Sequence, residues 1–228
     1  MDIKQLFDSE TSTYTYLLID PVSRQAALID PVKEQFERDR DYIKGLDLAL
    51  KYSIETHIHA DHVTASSLLK QEFNVQTVVH KNCGSTCPDI LTQDGETFSL
   101  GDQKIKVIAT PGHTNTCISL LIDGCVFTGD TLLIRGCGRT DFQSGDAGTL
   151  YDSITKKLFT LADETIVYPA HDYAGFTCSA IGEEKSLNPR LGNNKSKIDF
   201  VHIMDSLNLA EPRHMAIAVP GNLACGQN

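Results

Sequence analysis

The stretch Thr56-His57-Ile58-His59-Ala60-Asp61-His62 packs three imidazoles and a carboxylate into consecutive loop positions, directly after the apolar run Leu46 to Ile54. Histidine is the commonest protein metal ligand, and borderline-soft transition metals favour mixed imidazole and carboxylate shells. One such histidine would more often be structural, and a polar surface turn is the plain alternative for the stretch. Four ligand-type side chains crowded together point instead to a metal. Leu46 to Thr56 reads as a buried strand, and His62 to Phe73, with Leu68 and Leu69 on one side, reads as a helix. The cluster therefore occupies a strand-to-helix loop, and in α/β proteins functional groups gather at such carboxyl ends of strands.

Outward from the cluster, short strand-like runs and turns alternate with helical patterns. Thr13 to Ile19 and Gln25 to Ile29 read as strands joined through Asp20-Pro21-Val22-Ser23, and Glu34 to Lys44 as a helix. Further strands are expected at Gln76 to Val79, Lys104 to Ala109, Cys117 to Ile122 and Gly124 to Phe127, the last two joined by a tight turn at Asp123-Gly124. Thr149 to Leu161 is expected as a helix, Thr165 to Tyr168 as a strand, and Ser179 to Ser186 and Lys195 to Leu207 as helices. Strands and helices interleave without repeat, low-complexity linker or composition shift, which implies one α/β domain over residues 1–228.

The 228 residues suffice for a substantial core, and 41% hydrophobic with 22% charged residues is ordinary globular composition. A net charge of −10 disfavours nucleic acid, whose affinity grows from phosphates neutralised by Lys and Arg. Arg135 and Arg139 are local basic spots that could hold a small anion. No apolar run is long enough to cross a bilayer, so no membrane association is expected. Met1 to Glu10 lacks the pattern of a secretory or transit segment, which gives a cytoplasmic expectation. Seven cysteines without export signals read as mostly reduced thiols; Cys83 and Cys87 form a C-x3-C pair with no second pair to complete a zinc knuckle.

Three more ligand candidates stand where expected strands stop, each after small residues that allow a sharp turn. His113 follows Thr110-Pro111-Gly112, Asp130 follows Thr128-Gly129, and His171 follows Tyr168-Pro169-Ala170. Each is weak alone; with the cluster they form a set that loops on a rigid scaffold would assemble. Counted simply as ligands, His57, His59 and His113 suit one metal and Asp61, His62 and His171 another, with Asp130 bridging, as in a two-metal hydrolase.

H-x-H-x-D-H at His57 to His62, P-G-H-T at Pro111 to Thr114, T-G-D at Thr128 to Asp130 and the later His171 resemble the metallo-β-lactamase superfamily. That resemblance implies an αββα sandwich of two mixed β-sheets flanked by helices, with a metal site at one edge and an extension from about residue 172 packed on it. Two longer segments are similar to the persulfide dioxygenases, also called sulfur dioxygenases: T-G-D-T-L-L-I-R-G-C-G-R-T-D-F-Q at Thr128 to Gln143, and Tyr168 to Leu191 with H-D-Y-x-G-F and L-N-P-R-L. Ala218-Val219-Pro220 and Asn222-Leu223-Ala224-Cys225-Gly226 extend the similarity to nearly the whole chain.

The closer resemblance narrows the ligand set. It implies one Fe(II) per chain in a 2-His-1-carboxylate triad of His57, His113 and Asp130, leaving positions open for a sulfur substrate and dioxygen. His59, Asp61, His62 and His171 would then support and orient the ligands. The implied reaction oxidises the outer sulfur of glutathione persulfide with O2 to sulfite and frees glutathione; the implied assembly is a homodimer. Arg139, in the Gly-rich stretch after Asp130, could pair with a glutathione carboxylate in bidentate fashion, or be a solvated loop arginine. Tyr173 could donate a hydrogen bond to bound persulfide or oxygen, or be a core tyrosine, and Cys225 could contact substrate or be oxidised. Glyoxalase II-type thioester hydrolases share the short motifs but carry a longer C-terminal helical region than the stretch after His171. A metal-bound persulfide sensor or sulfur carrier is a third, nonenzymatic reading.

Overall fold

The computed structural model describes residues 1–212 and 214–227. One sheet runs in sequence order through β1 (Asp2–Asp8), β2 (Thr13–Ile19), β3 (Gln25–Ile29), β4 (Ala49–Ile54), β5 (Gln76–His80) and β6 (Ile90–Thr92). Its first three strands pair antiparallel and the rest parallel. The second sheet runs β7 (Thr97–Leu100), β8 (Gln103–Ala109), β9 (Ile118–Ile122), β10 (Cys125–Gly129), β11 (Ile166–Pro169) and β12 (Ser179–Ala180). Only its β10–β11 pair is parallel. Both sheets are mixed, as the resemblance implied.

Side-chain alternation explains why β2 is buried throughout. Tyr16 and Leu18 face the second sheet and pack in a cluster with Ile105, Leu120 and Phe127, whereas Leu17 and Ile19 face outward. There they meet Ile43 of α1 (Phe36–Gly45) and Leu69 of α2 (Ser66–Phe73). The second sheet repeats the arrangement: Val126 and Val167 meet Leu150 and Ile154 of α3 (Ala147–Lys156), Ile181 of α4 (Ile181–Leu187) and Phe200 of α5 (Lys197–Asp205). A strand covered on both faces reads as a continuous apolar run, which is how β2 appears in the sequence. A last helix, α6, spans Met215–Leu223. Among the described residues no helix is long and apolar enough to cross a membrane.

Several element boundaries differ from the sequence expectation for identifiable reasons. The helix expected from His62 starts at Ser66, because residues 63–65 run beside 31–33: Lys33 N donates to Val63 O, Ala65 N donates to Pro31 O, and Val32 bridges Thr64. Ser179 and Ala180 do not open a helix but pair with Val167 and Ile166 at the sheet edge. The helix expected at Thr149 starts at Ala147, capped by Asp146, whose side chain accepts from Thr149 N at 2.6 Å, and ends at Lys156 before a separate 3-10 turn over Leu158–Thr160. α5 begins in a capping box between Ser196 and Asp199. Strands β1, β6 and β7 lay outside the expectation: β1 is a half-exposed edge strand carrying charges, and the other two are too short for periodicity. α6 also escaped, since it contains Pro220, a residue that reads as a helix breaker.

Candidate metal centre

Both sheets end at the same edge of the sandwich. His57 lies on the loop leaving β4, whereas His113, Asp130 and His171 follow β8, β10 and β11. Ligand atoms of His57, His113 and Asp130 lie within 4.8 Å of one another, a spacing that one ion can bridge. Gly138 permits the close approach behind them. Its amide donates to Asp130 O at 2.7 Å, and a Cβ there would sit 2.3 Å from that oxygen and 2.8 Å from the His113 ring.

The hydrogen bonds beneath the two histidines fix their tautomers. The Thr56 hydroxyl donates to Asp30 Oδ2 at 2.8 Å, so its oxygen is left to accept from His57 Nδ1–H at 3.0 Å. Asp30 is itself held by the Thr56 amide at 2.7 Å. His113 Nδ1–H donates to the Arg139 carbonyl at 2.7 Å. Each ring therefore turns an unprotonated Nε2 toward the site, as a metal ligand requires. Burial, with the neighbouring His59 and His113, pushes His57 well below the ordinary histidine range and keeps it neutral. The buried Asp130 Oδ1 has no hydrogen-bond partner among the described residues. Its other oxygen, Oδ2, lies 3.6 Å from His113 Nε2, and a carboxylate so placed fits a cation.

The other four candidates gather around this triad. His171 donates Nδ1–H to Ser12 O at 3.1 Å and brings Nε2 to 3.5 Å from Asp61 Oδ2 and 3.7 Å from Asp130 Oδ1. His62 Nδ1 bonds Asp61 Oδ2 at 2.9 Å. His59 points its Nε2 away from the triad, to Asp30 Oδ1 at 3.1 Å and Glu55 Oε2 at 3.5 Å. Burial alone would lower the His59 pKa, but Asp30, Glu55 and Asp61 raise it well above the ordinary value. Ligand atoms of His59, Asp61 and His62 also lie within 4.8 Å of one another, so the loop holds a second, adjoining group. All seven sequence candidates are brought together.

A cavity of about 710 Å³ opens over the triad. Arg139 lines it, but its guanidinium is heavily committed: two bonds of 2.7 Å to Asp141, one of 2.6 Å to Ala210 O, and a ring contact with Phe142. Arg135, the other basic spot, is held by Glu183 and Glu184, so it braces α4 and is not open to an anion. The cavity has a second cation that the sequence reading did not single out. Arg190, within L-N-P-R-L, uses Nη1 on the Cys137 carbonyl at 2.8 Å and keeps Nε and Nη2 without a partner among the described residues. Tyr173 is 76% exposed, stacks on His171 at 5.9 Å between centroids, and its hydroxyl makes no hydrogen bond among the described residues. It is thus not a core tyrosine. Asp172, beside it, accepts from the amides of Ala174 and Phe176 and shapes that turn.

Cys225 is not at the cavity. It forms a disulfide with Cys87 and borders a separate small pocket behind His57, lined also by Glu55 and Asn222. The tail folds back along α2 instead of crossing the cavity mouth, which removes Cys225 from the substrate set and corrects the reading of both cysteines as free thiols. The other five are free. Asn222 and Asp30 are further residues missed in the sequence. Asp30 stands isolated in a strand-end turn, and nothing in its spacing links it to Thr56.

Comparison with known proteins bears on this geometry. The profile of the metallo-beta-lactamase superfamily matches residues 88–171. Persulfide dioxygenase ETHE1 of Homo sapiens is 47% identical over 98% of this chain and 88% of its own length. The crystal structure of ETHE1 from Myxococcus xanthus superposes with a TM-score of 0.97 at 52% identity, covering 100% of both chains. Glyoxylase B2 of Dictyostelium discoideum is more distant, 30% identical over 96% of this chain and 88% of its length. Near-complete coverage, high identity and a converged triad under one cavity agree, and the chain belongs to the persulfide dioxygenase family of the metallo-β-lactamase superfamily.

Proposed function

We propose that the protein is a glutathione persulfide dioxygenase, with one Fe(II) held by His57, His113 and Asp130. The observation that carries this reading is the three-ligand convergence on the floor of a cavity large enough for a peptide-sized thiol. Two imidazoles and a carboxylate leave positions open, which oxygen-activating iron needs. When bound, ferrous iron supplies those positions to dioxygen and to the persulfide sulfur. The overall change is persulfide plus O2 plus water to glutathione, sulfite and two protons: both oxygen atoms reach the outer sulfur, water supplies the third, and the S–S bond breaks.

The chain's residues prepare that event. Thr56 and the Arg139 carbonyl hold the two imidazoles in the ligating tautomer, and Asp30 anchors Thr56. Asp61 and His171 line the cavity beside the triad, and His62 holds Asp61 in place. Arg190 is the cavity's most available cation for a glutathione carboxylate, with Arg139 as a braced neighbour, and Tyr173 offers a hydroxyl donor from the rim. We take residues 1–228 as one domain, with the part after about residue 172 as an extension. Phe200 and Met204 in one core cluster with Val126 and Val167 support this. A homodimer belongs to the same proposal and is checked by sedimentation.

The second reading, a glyoxalase II-like dinuclear thioester hydrolase, draws on the converging His59, Asp61 and His62. There His59 would ligate through Nδ1, since Nε2 is committed to Asp30 and Glu55. Metal analysis of protein purified without oxygen, paired with oxygen uptake and sulfite release on glutathione persulfide, decides. One iron per chain with stoichiometric oxygen uptake supports the dioxygenase; two metal ions with thioesterase turnover and no oxygen uptake overturn it.

A further inference from the structure

The loop bearing the ligand cluster has no regular secondary structure between Glu55 and Val63, so its backbone must be held by something else. Asp30, Thr116 and Gln143 hold its Thr56 and Ile58 backbone, and one further side chain holds three groups at once. Asn222, 6% exposed on α6, accepts from Thr64 N at 2.8 Å through Oδ1. Its amide nitrogen donates to His59 O and to His62 O, both at 2.9 Å. Both amide hydrogens and the carbonyl oxygen of one side chain are thus spent on the backbone of a single loop, about 160 residues away in sequence.

The tail is fastened where it can do this. Cys225 is disulfide-bonded to Cys87, its carbonyl accepts from Ser67 N at 3.1 Å, and Ser67 Oγ donates to Gly226 O at 2.9 Å. Gly226 lies so close that a Cβ would meet Thr64 O at 2.2 Å. We propose that Asn222 is a further positioning residue of the metal centre: from the C-terminal helix it fixes the carbonyls of His59 and His62 and the amide of Thr64, and so, together with Thr56 and Asp30, keeps His57 aimed at His113 and Asp130. The role needs no contact with metal or substrate and does not depend on which reaction follows. It rests on the reading of His57 as a ligand.

The test uses the full-length protein loaded with Co(II), whose visible ligand-field bands report geometry, followed by metal release to EDTA. Asn222→Ala should fold by circular dichroism, shift the bands, and release metal about 10- to 100-fold faster, the range typical of lost ligand support. Asn222→Asp keeps the acceptor for Thr64 but sets a carboxylate oxygen against the carbonyls of His59 and His62, so its release should be at least as fast as that of Asn222→Ala; Asn222→Gln, which keeps the donors on a longer stem, should release metal at a rate between wild type and these two and decides the matter if the alanine variant does not fold. Wild-type bands and release rate in a folded variant overturn the proposal. His57→Ala, run in parallel, separates the two readings: metal retained there defeats the ligand assignment, whereas metal lost there but unaffected by Asn222 defeats only the positioning role.

Discussion

The two sheets contribute to the metal centre in opposite styles. The first delivers a dense run, residues 57–62, on one irregular loop, and the second delivers His113, Asp130 and His171 singly, each at the end of its own strand. In the second sheet the scaffold itself aims the ligand. In the first, aim comes from a buried polar network: Asp30 on Thr56, Thr56 on His57, Glu55 on Thr64 and Ser66, and Asn222 on the loop backbone. A crowded motif is therefore not a set of equal ligands, because much of it works to hold the one residue that faces the other sheet.

The sharpest way to break this contrast is to remove ligands from either side. His57→Ala and Asp130→Ala should both reduce bound iron and sulfite formation to background, measured by metal analysis and oxygen uptake. Retention of iron and turnover in either would dismantle the triad. Thr56→Val removes the hydroxyl that fixes His57 and should weaken metal affinity about 10- to 100-fold without abolishing it, read by competition with a chelator. If the second sheet depended equally on such support, variants around His113 would behave alike, but its Nδ1 bonds a backbone carbonyl that no substitution deletes.

Arg190→Ala should raise KM for glutathione persulfide about tenfold while kcat changes little, the pattern of a lost substrate contact made in ground and transition states alike. A drop in kcat with unchanged KM would move Arg190 out of substrate binding. The smallest effect concerns thiols beside the second sheet. Burial pushes Cys117 up to about 12 and Cys137 up to about 11, so at pH 8 both are protonated as well as enclosed. Exposed Cys178 should therefore be alkylated by iodoacetamide in the native protein while those two stay unlabelled, as mass spectrometry of the digest would show. Because their pKa values are raised, any labelling of the buried pair should grow only as pH approaches 11.

What the sequence made legible follows the same division. His113, Asp130 and His171 stood out because small residues precede them at strand ends, and the cluster stood out by density. The supports did not. Asp30 and Thr56 are ordinary turn residues until the fold brings β3 and β4 side by side, and Asn222 lies in a helix that Pro220 disguises. Charge singles out Arg139 in the sequence, yet charge does not reveal that Asp141, Phe142 and a carbonyl already occupy it. Cys225 stands out by its place in the tail, while its partner Cys87 is 138 residues distant. Long-range pairing of this kind has no local pattern.

Because His57 comes from one sheet and His113 with Asp130 from the other, an ion at their meeting point would act as a cross-link between two halves of the fold. Neither half alone offers a complete site, so the unfolded chain competes poorly for the ion and binding shifts the folding equilibrium. Free metal at a hundred times its dissociation constant adds about 2.7 kcal/mol to the folded state. The midpoint of heat denaturation should accordingly rise with metal concentration, and parting the two sheets at this edge would have to break a coordination bond.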